Sequence, residues 1–220
     1  MTRGKKPSES YVGKSVRAKE ARAPLIGKAK YTNDYTFSGQ LYAYILRSPH
    51  AAAKINSVDV SGAKKVAGVH LAISGQEVFN HTNGITDHLN PAIFGGKSTR
   101  LPCMAVDEVW CYGQPVAIVV AEDERTARYA ASRIQVDYTP LEPVIDAEKA
   151  MAPGARSVVP DWEDNVLMYV PFLNGDTQVA FDQASHIITT EVKIHRFSSQ
   201  PMETRCYNAI WEHDTQSITL

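Results

Sequence analysis

Residues 109–136 read VWCYGQPVAIVVAEDERTARYAASRIQV, and this stretch decides the fold. Its first part predicts two strands joined by a tight turn, because a short apolar run at residues 109–111 is followed by a break at Gly113 and Gln114. Pro115–Ala121 is then almost wholly apolar and β-branched, which is the composition of a strand buried on both faces. None of these side chains is an obvious catalytic group, so the stretch is interpreted as core.

The second part of the same stretch predicts a helix that packs on a sheet. Acidic residues 122–124 suit the positive end of a helix dipole. Four apolar residues then recur at positions i, i+3, i+4 and i+7, namely Ala127, Ala130, Ala131 and Ile134. Because three of them are alanines, this face of the helix can lie close to its neighbours.

The composition is typical of a globular chain and excludes several classes of protein. Of the 220 residues, 44% are hydrophobic and 21% are charged, and the net charge of −1 argues against a broad nucleic-acid or anionic-membrane surface. No apolar run approaches the roughly 18 residues of a membrane span. The basic start MTRGKKPSES has no apolar stretch after it, so it predicts a flexible tail rather than a signal peptide.

Cysteine and histidine usage favours a reduced, cytoplasmic protein without a metal knuckle. The cysteines are odd in number and far apart, with no C-x-x-C pair: Cys103, Cys111 and Cys206. The seven histidines show no metal-ligand spacing, and a loop metal site is a weak alternative that would use His81, Asp87 and His88.

Outside the central stretch, the pattern predicts a mixed α+β chain. Strands are predicted at residues 41–46, 55–60 and 69–73, with a short helix between the last two that Ser61 caps. A helix is predicted at 179–184, followed by strands at 187–194, 205–211 and 217–220.

Two irregular segments divide the chain. Residues 80–104 form a long loop, which in a compact domain is usually functional or part of an interface. Residues 149–165 contain proline and glycine and are interpreted as a linker. The predicted organisation is a flexible segment at 1–22, a domain at 23–148, the linker, and the incomplete start of a second domain at 166–220. Since residues 218–220 are β-prone with no turn after them, we expect another polypeptide segment to complete this sheet.

Two short motifs resemble known catalytic patterns but lack their companions. Gly95-Gly96-Lys97-Ser98 resembles the end of a phosphate-binding loop, yet Pro91 occupies the position of the required first glycine. Ser61-Gly-Ala-Lys64 matches the S-x-x-K pattern of some acylating serines without the other elements of that site. We therefore predict a surface turn and a helix start, and keep a small serine hydrolase as the weakest functional hypothesis.

The segment SSQPMETR admits two interpretations. It places the carboxylate of Glu203 and the guanidinium of Arg205 beside a proline turn between two predicted strands. The two side chains could form a buried ion pair that stabilises the turn. Alternatively, the turn could face a cofactor or substrate with its backbone groups. The residues alone leave both open.

Four stretches, taken together, resemble the molybdenum-cofactor-binding large subunit of the molybdenum hydroxylases, the superfamily of xanthine dehydrogenase, aldehyde oxidase and carbon monoxide dehydrogenase. They are Gly27-x-Ala29-x-Tyr31-x-x-Asp34; RSPHAAAKI at 47–55; YGQPVAIVVAE at 112–122 with its helix, 136–138 and 141–144; and 175–181 with Arg196 and PMETR at 201–205. Their order and spacing cover residues 13–220.

The resemblance implies an α/β hammerhead domain up to about residue 148, followed by the first β-rich part of a molybdopterin-binding domain. It implies a molybdenum cofactor held together with the remaining molybdopterin-domain polypeptide, and FAD and 2Fe–2S centres on separate flavin and iron–sulfur subunits. Two departures, Ala52 for a histidine and Phe197 for a glutamine, favour the branches that resemble carbon monoxide dehydrogenase and bacterial aldehyde oxidoreductase. Those branches often use the cytosine dinucleotide form of molybdopterin.

For the site, the resemblance implies a turn that borders the cofactor and contains Gln200, Met202, Glu203 and Arg205. It assigns no catalytic residue and no metal ligand to this chain, because the glycine-rich segment and the glutamate base of the family lie beyond Leu220. The implied function is part of an oxidoreductase that hydroxylates an aldehyde, an N-heterocycle or a similar small molecule with water as the oxygen source. The alternative is a non-catalytic assembly module that binds the cofactor or a partner.

Overall fold

The structure is a computed structural model that describes residues 11–85, 95–98, 101–172 and 174–220. The chain folds as two compact units. The larger unit is Gly39–Thr190, and the smaller unit combines Met1–Ser38 with Glu191–Leu220. Within the described ranges, no helix is both long enough and apolar enough to cross a bilayer.

Strands and short helices alternate along the described residues. The strands are β1 (Tyr42–Arg47), β2 (Ala53–Asp59), β3 (Val69–Ser74), β4 (Glu108–Val109), β5 (Pro115–Ala121), β6 (Gln135–Pro140), β7 (Ile210–Glu212) and β8 (Ser217–Thr219). The helices are α1 (Arg22–Leu25), α2 (Ser61–Lys64), α3 (Gly75–His81), α4 (Glu124–Ala131), α5 (Ala147–Ala150) and α6 (Thr177–Asp182), and Thr32–Asp34 forms a 3-10 turn.

Strand β5 is the centre of the larger unit. It pairs antiparallel with β1 on one side and β3 on the other, so that Val119 lies opposite both Tyr44 and Ala72. A second antiparallel sheet has the order β4-β2-β6. Val116 and Ala117 are adjacent in sequence and both fully buried, which means that both faces of β5 are covered. The prediction of a strand buried on both faces is confirmed.

The two faces of β5 contribute to two different hydrophobic cores, because successive side chains of a strand point to opposite sides. Val116 packs with Ala53, Ala105 and Val109. The residues of the other face pack beneath α4 and α2, in a cluster whose fully buried members include Ala63, Ala117, Val119 and Ala130.

Helix α4 matches its prediction in both position and orientation. Its buried residues are Ala127, Ala130 and Ala131. Asp123 caps the helix, accepting hydrogen bonds from the Thr126 amide at 2.8 Å and the Thr126 hydroxyl at 2.7 Å. The amide hydrogen bond is the main reason that the pKa of the Asp123 carboxyl lies below its ordinary value.

Helix α3 occupies residues to which the sequence interpretation assigned no element, between the strand predicted at 69–73 and the loop predicted at 80–104, and it overlaps that loop only at its last two residues. It starts with a capping box, in which the Ser74 amide donates to Glu77 Oε2 at 2.8 Å and the Glu77 amide donates to Ser74 Oγ at 3.3 Å. The pattern Ser-x-x-Glu is a recognised signal of a helix start, so this helix was predictable. The Ser74 amide hydrogen bond is the main cause of a lowered pKa at the Glu77 carboxyl.

The substitution Glu77→Gln is expected to flatten the dependence of stability on pH. A carboxyl whose folded pKa is depressed contributes stability above its ordinary value of 4.5, and this contribution is lost as the pH falls through the lowered folded pKa. Glutamine keeps an acceptor for the Ser74 amide but does not titrate. Urea unfolding of both proteins at a series of pH values measures the effect, and parallel stability curves on the acid side of 4.5 would contradict it.

Two predicted strands differ from the structure. Residues 187–194 have no regular secondary structure and form no ladder with any described residue, and the side chain of Ile188 is 89% exposed. The predicted strand at 205–211 is reduced to β7, which pairs antiparallel with β8. A strand needs a neighbour for its backbone N–H and C=O groups, and the apolar alternation that predicts residues 187–194 does not supply one. The strand predicted at 217–220 is confirmed as β8.

Candidate functional site

The segment that follows residue 195 lines an open pocket in the smaller unit. Residues 196–205 run without helix or strand, and the pocket has a volume of about 570 Å³. Its lining residues are Arg196, Phe197, Ser198, Ser199, Pro201 and Arg205. The polar groups of this lining are two guanidiniums and two hydroxyls, with no carboxylate among them.

This lining is suited to an oxyanion. Guanidinium groups present several N–H donors in a fixed plane that matches phosphate and carboxylate oxygens, and serine hydroxyls add further donors. Neither Arg196 nor Arg205 takes part in an ion pair with any carboxylate of the described segments. Their charges are therefore available to a ligand.

Of the four residues predicted to form the cofactor-bordering turn, the structure brings only one to the pocket. Arg205 is part of the lining, whereas Gln200, Met202 and Glu203 are exposed outside it. Arg196 carries part of the family resemblance, and Ser198 and Ser199 belong to the segment SSQPMETR, but none of the three was assigned to the site from the sequence. The signal that could have found them is the run Arg-x-Ser-Ser immediately before a proline turn, although such a run is common on protein surfaces.

The buried ion pair between Glu203 and Arg205, one of the two interpretations of this turn, is wrong. Both side chains are exposed, and no ion pair joins them. Glu203 Oε1 instead accepts a hydrogen bond from the Thr32 backbone amide at 3.2 Å. The carboxylate is thus directed to a main-chain donor rather than to the guanidinium two residues away.

Lys97 is engaged by its own surface segment. Its ammonium pairs with the Asp164 carboxylate and lies 5.5 Å from the centre of the Trp162 ring. The Lys97 amide donates to the Leu167 carbonyl at 2.8 Å. The hydrogen bond from Lys97 is the main cause of a lowered pKa at Asp164. These contacts occupy the ammonium that a phosphate-binding loop would direct to a ligand, while the predicted surface turn at residues 95–98 stays a prediction. Pro91, on which the comparison with a phosphate-binding loop also depended, lies outside the described residues.

The S-x-x-K pattern does not form an acylating pair. The Ser61 amide donates to Asp59 Oδ1 at 2.8 Å, and hydrogen bonds from Ser61 lower the pKa of Asp59. Lys64 faces Glu77 at 3.9 Å. Ser61 was predicted to cap the helix, but it is the first helical residue, and its own side chain caps nothing. The Asp59 carboxylate accepts the hydrogen bond of the first helical amide, that of Ser61.

The remaining metal and thiol candidates give no cluster in the described part of the chain. No group of three His, Cys, Asp or Glu side chains could hold a metal there. Asp87 and His88 of the weak loop hypothesis lie outside the described residues. The three cysteines are free, and Cys103 and Cys111 are exposed.

Comparison with known proteins decides the family. The sequence pattern of the family described as aldehyde oxidase and xanthine dehydrogenase, a/b hammerhead domain, matches residues 26–142, which is more than half of the chain. The chain belongs to the aldehyde oxidase and xanthine dehydrogenase family. The pattern of the molybdopterin cofactor-binding domain matches residues 158–220. The predicted resemblance and the α+β fold class, with a hammerhead domain followed by a molybdopterin-binding domain, are confirmed, while the residue boundaries of 23–148, 149–165 and 166–220 stay predictions.

Individual members of the aldehyde oxidase and xanthine dehydrogenase family resemble the chain over most of its length. The large subunit of nicotine 6-hydroxylase from Paenarthrobacter nicotinovorans is 33% identical over 215 residues, covering 97% of this chain and 26% of that protein. Quinoline 2-oxidoreductase from Pseudomonas putida 86 has a TM-score of 0.80 and 31% identity, covering 95% of this chain and 26% of that one. The carbon monoxide dehydrogenase large chain of Afipia carboxidovorans is 34% identical over 140 residues, covering 64% of this chain and 16% of that protein. The chain therefore spans about a quarter of the length of the first two relatives.

Proposed function

We propose that this chain supplies the hammerhead domain and the opening of the molybdopterin-binding domain of a molybdenum hydroxylase large subunit. One observation carries the proposal: the two domain patterns follow each other in a single chain, at residues 26–142 and 158–220. Since the chain spans 26% of the nicotine 6-hydroxylase large subunit, the complete site requires a further polypeptide segment.

The reaction is the hydroxylation of a small electron-poor molecule, with water as the oxygen source. N-heterocycles are the favoured substrate class, because two of the similar proteins are named for nicotine and quinoline, which both contain an aromatic nitrogen ring. Aldehydes are the second class, since the crystal structure of an aldehyde oxidoreductase from Desulfovibrio gigas has a TM-score of 0.63 with this chain. No residue of this chain is assigned a catalytic role.

The pocket in the smaller unit fits a phosphorylated cofactor of the molybdopterin type. When bound, the cofactor supplies the redox chemistry of molybdenum. The guanidiniums of Arg196 and Arg205 and the two serine hydroxyls would hold its phosphate oxygens, since charged donors form the stronger hydrogen bonds. The ring of Phe197, in the position where a glutamine is usual, would cover the same ligand with an apolar surface and exclude water. Of the predicted turn, Arg205 would contact the cofactor, while Gln200, Met202 and Glu203 would lie beside the pocket and outside its lining.

Exposed apolar side chains on a segment without strand pairing support the proposal that partner polypeptides cover this part of the chain. Ile188, Val192 and Ile194 are all largely exposed, and the segment that contains them pairs with no strand of the described residues. The polypeptide that carries the rest of the molybdopterin-binding domain is the partner that would cover them. Iron–sulfur and FAD subunits complete the proposed enzyme; the names of two relatives, a large subunit and a subunit gamma of a complex, support the presence of further subunits. The free cysteines suit a location in the cytoplasm.

Affinity purification of the chain from its natural host tests the proposal. The expected co-purifying proteins are the remaining molybdopterin-domain polypeptide together with iron–sulfur and flavin subunits, identified by mass spectrometry and by the visible absorbance of both centres. Recovery of a stable monomer without these partners would refute the proposed enzyme. Recovery of a cofactor-synthesis or insertion protein alone would instead support the alternative, a non-catalytic assembly module.

A further inference from the structure

A 3-10 turn near the start of the chain meets the segment that follows the pocket. The Thr32 amide donates to Glu203 Oε1 at 3.2 Å, and Asn208 Nδ2 donates to the Thr32 carbonyl at 3.0 Å. Both main-chain polar groups of Thr32 are therefore bound by side chains that are more than 170 residues away in sequence. All three residues belong to the smaller unit.

The turn is fixed by a reciprocal pair of hydrogen bonds. The Tyr31 amide donates to Asp34 Oδ2 at 2.9 Å, and the Asp34 amide donates to the Tyr31 carbonyl at 2.9 Å. Asp34 thus holds the peptide groups on both sides of Tyr31: its carboxylate binds the Tyr31 amide, and its own amide binds the Tyr31 carbonyl, which belongs to the peptide that carries the Thr32 N–H. A weaker contact supports the same arrangement, since the Cys206 thiol lies 3.9 Å from Asn33 Oδ1.

These contacts keep the Glu203 carboxylate away from the Arg205 guanidinium on the same segment. Glu203 is the single acidic residue between Arg196 and Arg205, and it lies two positions from one of these guanidiniums. An unrestrained carboxylate so close would compete with any oxyanion for Arg205. Because Thr32 binds the carboxylate, the arginine stays unpaired.

We propose that Asp34 and Asn208 are positioning residues that keep Glu203 on Thr32 and so leave Arg205 free to bind an oxyanion. The proposal rests on the proposed function only for the nature of the anion, a phosphate-bearing cofactor. Tyr31 and Asp34, which belong to the opening motif, do not line the pocket, but through Thr32 and Glu203 they would determine whether Arg205 is free to bind there.

Inorganic pyrophosphate is the probe for the first experiment, with affinity measured by calorimetry on the 220-residue chain. Asp34→Ala is expected to weaken binding by about fivefold, because losing one hydrogen bond of roughly 1 kcal/mol releases Glu203 toward Arg205. Asp34→Asn keeps the acceptor for the Tyr31 amide and should restore the affinity. In a Glu203→Gln background, Asp34→Ala should have no effect, since no competing charge remains. An equal loss in both backgrounds would overturn the proposal.

Hydrogen exchange provides a readout that does not depend on ligand binding. Asp34→Ala should accelerate exchange about fivefold both in residues 31–35 and in residues 200–208, while Asp34→Asn should leave both near the wild-type rate. Acceleration confined to residues 31–35 would overturn the positioning role. If Asp34→Ala accelerated exchange in both segments but the wild-type chain bound no pyrophosphate, the contact between the two segments would be supported and the cofactor pocket would be refuted.

Discussion

Gly75→Ala is expected to destabilise the chain by about 3 kcal/mol, one of the two largest effects that we predict. A β-carbon at this position would lie 2.1 Å from the carbonyl oxygen of Ala105 and 3.2 Å from Cβ of Met104. Both neighbours are buried, and the Ala105 amide donates to the Pro115 carbonyl at 2.7 Å, at the start of β5. The backbone of Ala105 therefore cannot move aside without disturbing the central strand.

Gly96→Ala is the matched control for this substitution. A β-carbon there would lie 3.4 Å from the Leu167 carbonyl oxygen, which is close to an ordinary contact, and the backbone of Gly96 does not adopt a positive φ. We expect a change of less than about 1 kcal/mol. Urea unfolding of the three proteins, followed by circular dichroism, measures the difference. If Gly75→Ala were as stable as Gly96→Ala, the packing of α3 against the segment that precedes β4 would be wrong.

Replacing both pocket arginines is expected to reduce retention of the cofactor about a hundredfold. Each charge-assisted hydrogen bond contributes roughly 1.5–3 kcal/mol, so each substitution should weaken binding by at least about tenfold. The variant is Arg196→Ala with Arg205→Ala, prepared in the assembled large subunit. The measurement is the molar ratio of molybdopterin to protein after extensive dialysis.

Lys193→Ala provides the control for charge alone. Its ammonium pairs with Glu191 at 3.1 Å, and its side chain does not line the pocket. Retention of the cofactor should remain at the wild-type level in this variant. A comparable loss in the control and in the double arginine variant would indicate a general effect of net charge, and full retention in the arginine variant would exclude these two residues from the cofactor site.

The central strand and helix were predictable because their signals are local. The β-branched run Pro115–Ala121 identifies a strand buried on both faces, and the alanine spacing identifies the buried face of α4. The capping box of Ser74 and Glu77 was equally local, and it marks a helix start even where the following residues look irregular. Periodicity and capping residues are properties of short windows, so they can be read without knowledge of the rest of the fold.

The features that could not be predicted depend on residues that are distant in sequence. Residues 187–194 have the composition of a strand, but pairing requires a neighbour that this segment does not find among the described residues. The hydrogen bond between Thr32 and Glu203 joins residues that are 171 positions apart, and no local pattern indicates it. Arg205 was predicted as a site residue, whereas Arg196, which belongs to the same family resemblance, was not assigned to the site until the structure showed both in one pocket lining.

We expect this chain to act as scaffold and pocket border, with reactivity depending on polypeptide segments other than these 220 residues. Metal analysis and an N-heterocycle dehydrogenase assay of the purified 220-residue chain test this claim most directly, alongside the same chain co-expressed with the remaining molybdopterin-domain polypeptide and the proposed partner subunits. We predict substoichiometric molybdenum and no turnover for the chain alone, and about one molybdenum per large subunit with turnover for the complex. Stoichiometric molybdenum and dehydrogenase activity from the 220 residues alone would contradict the account.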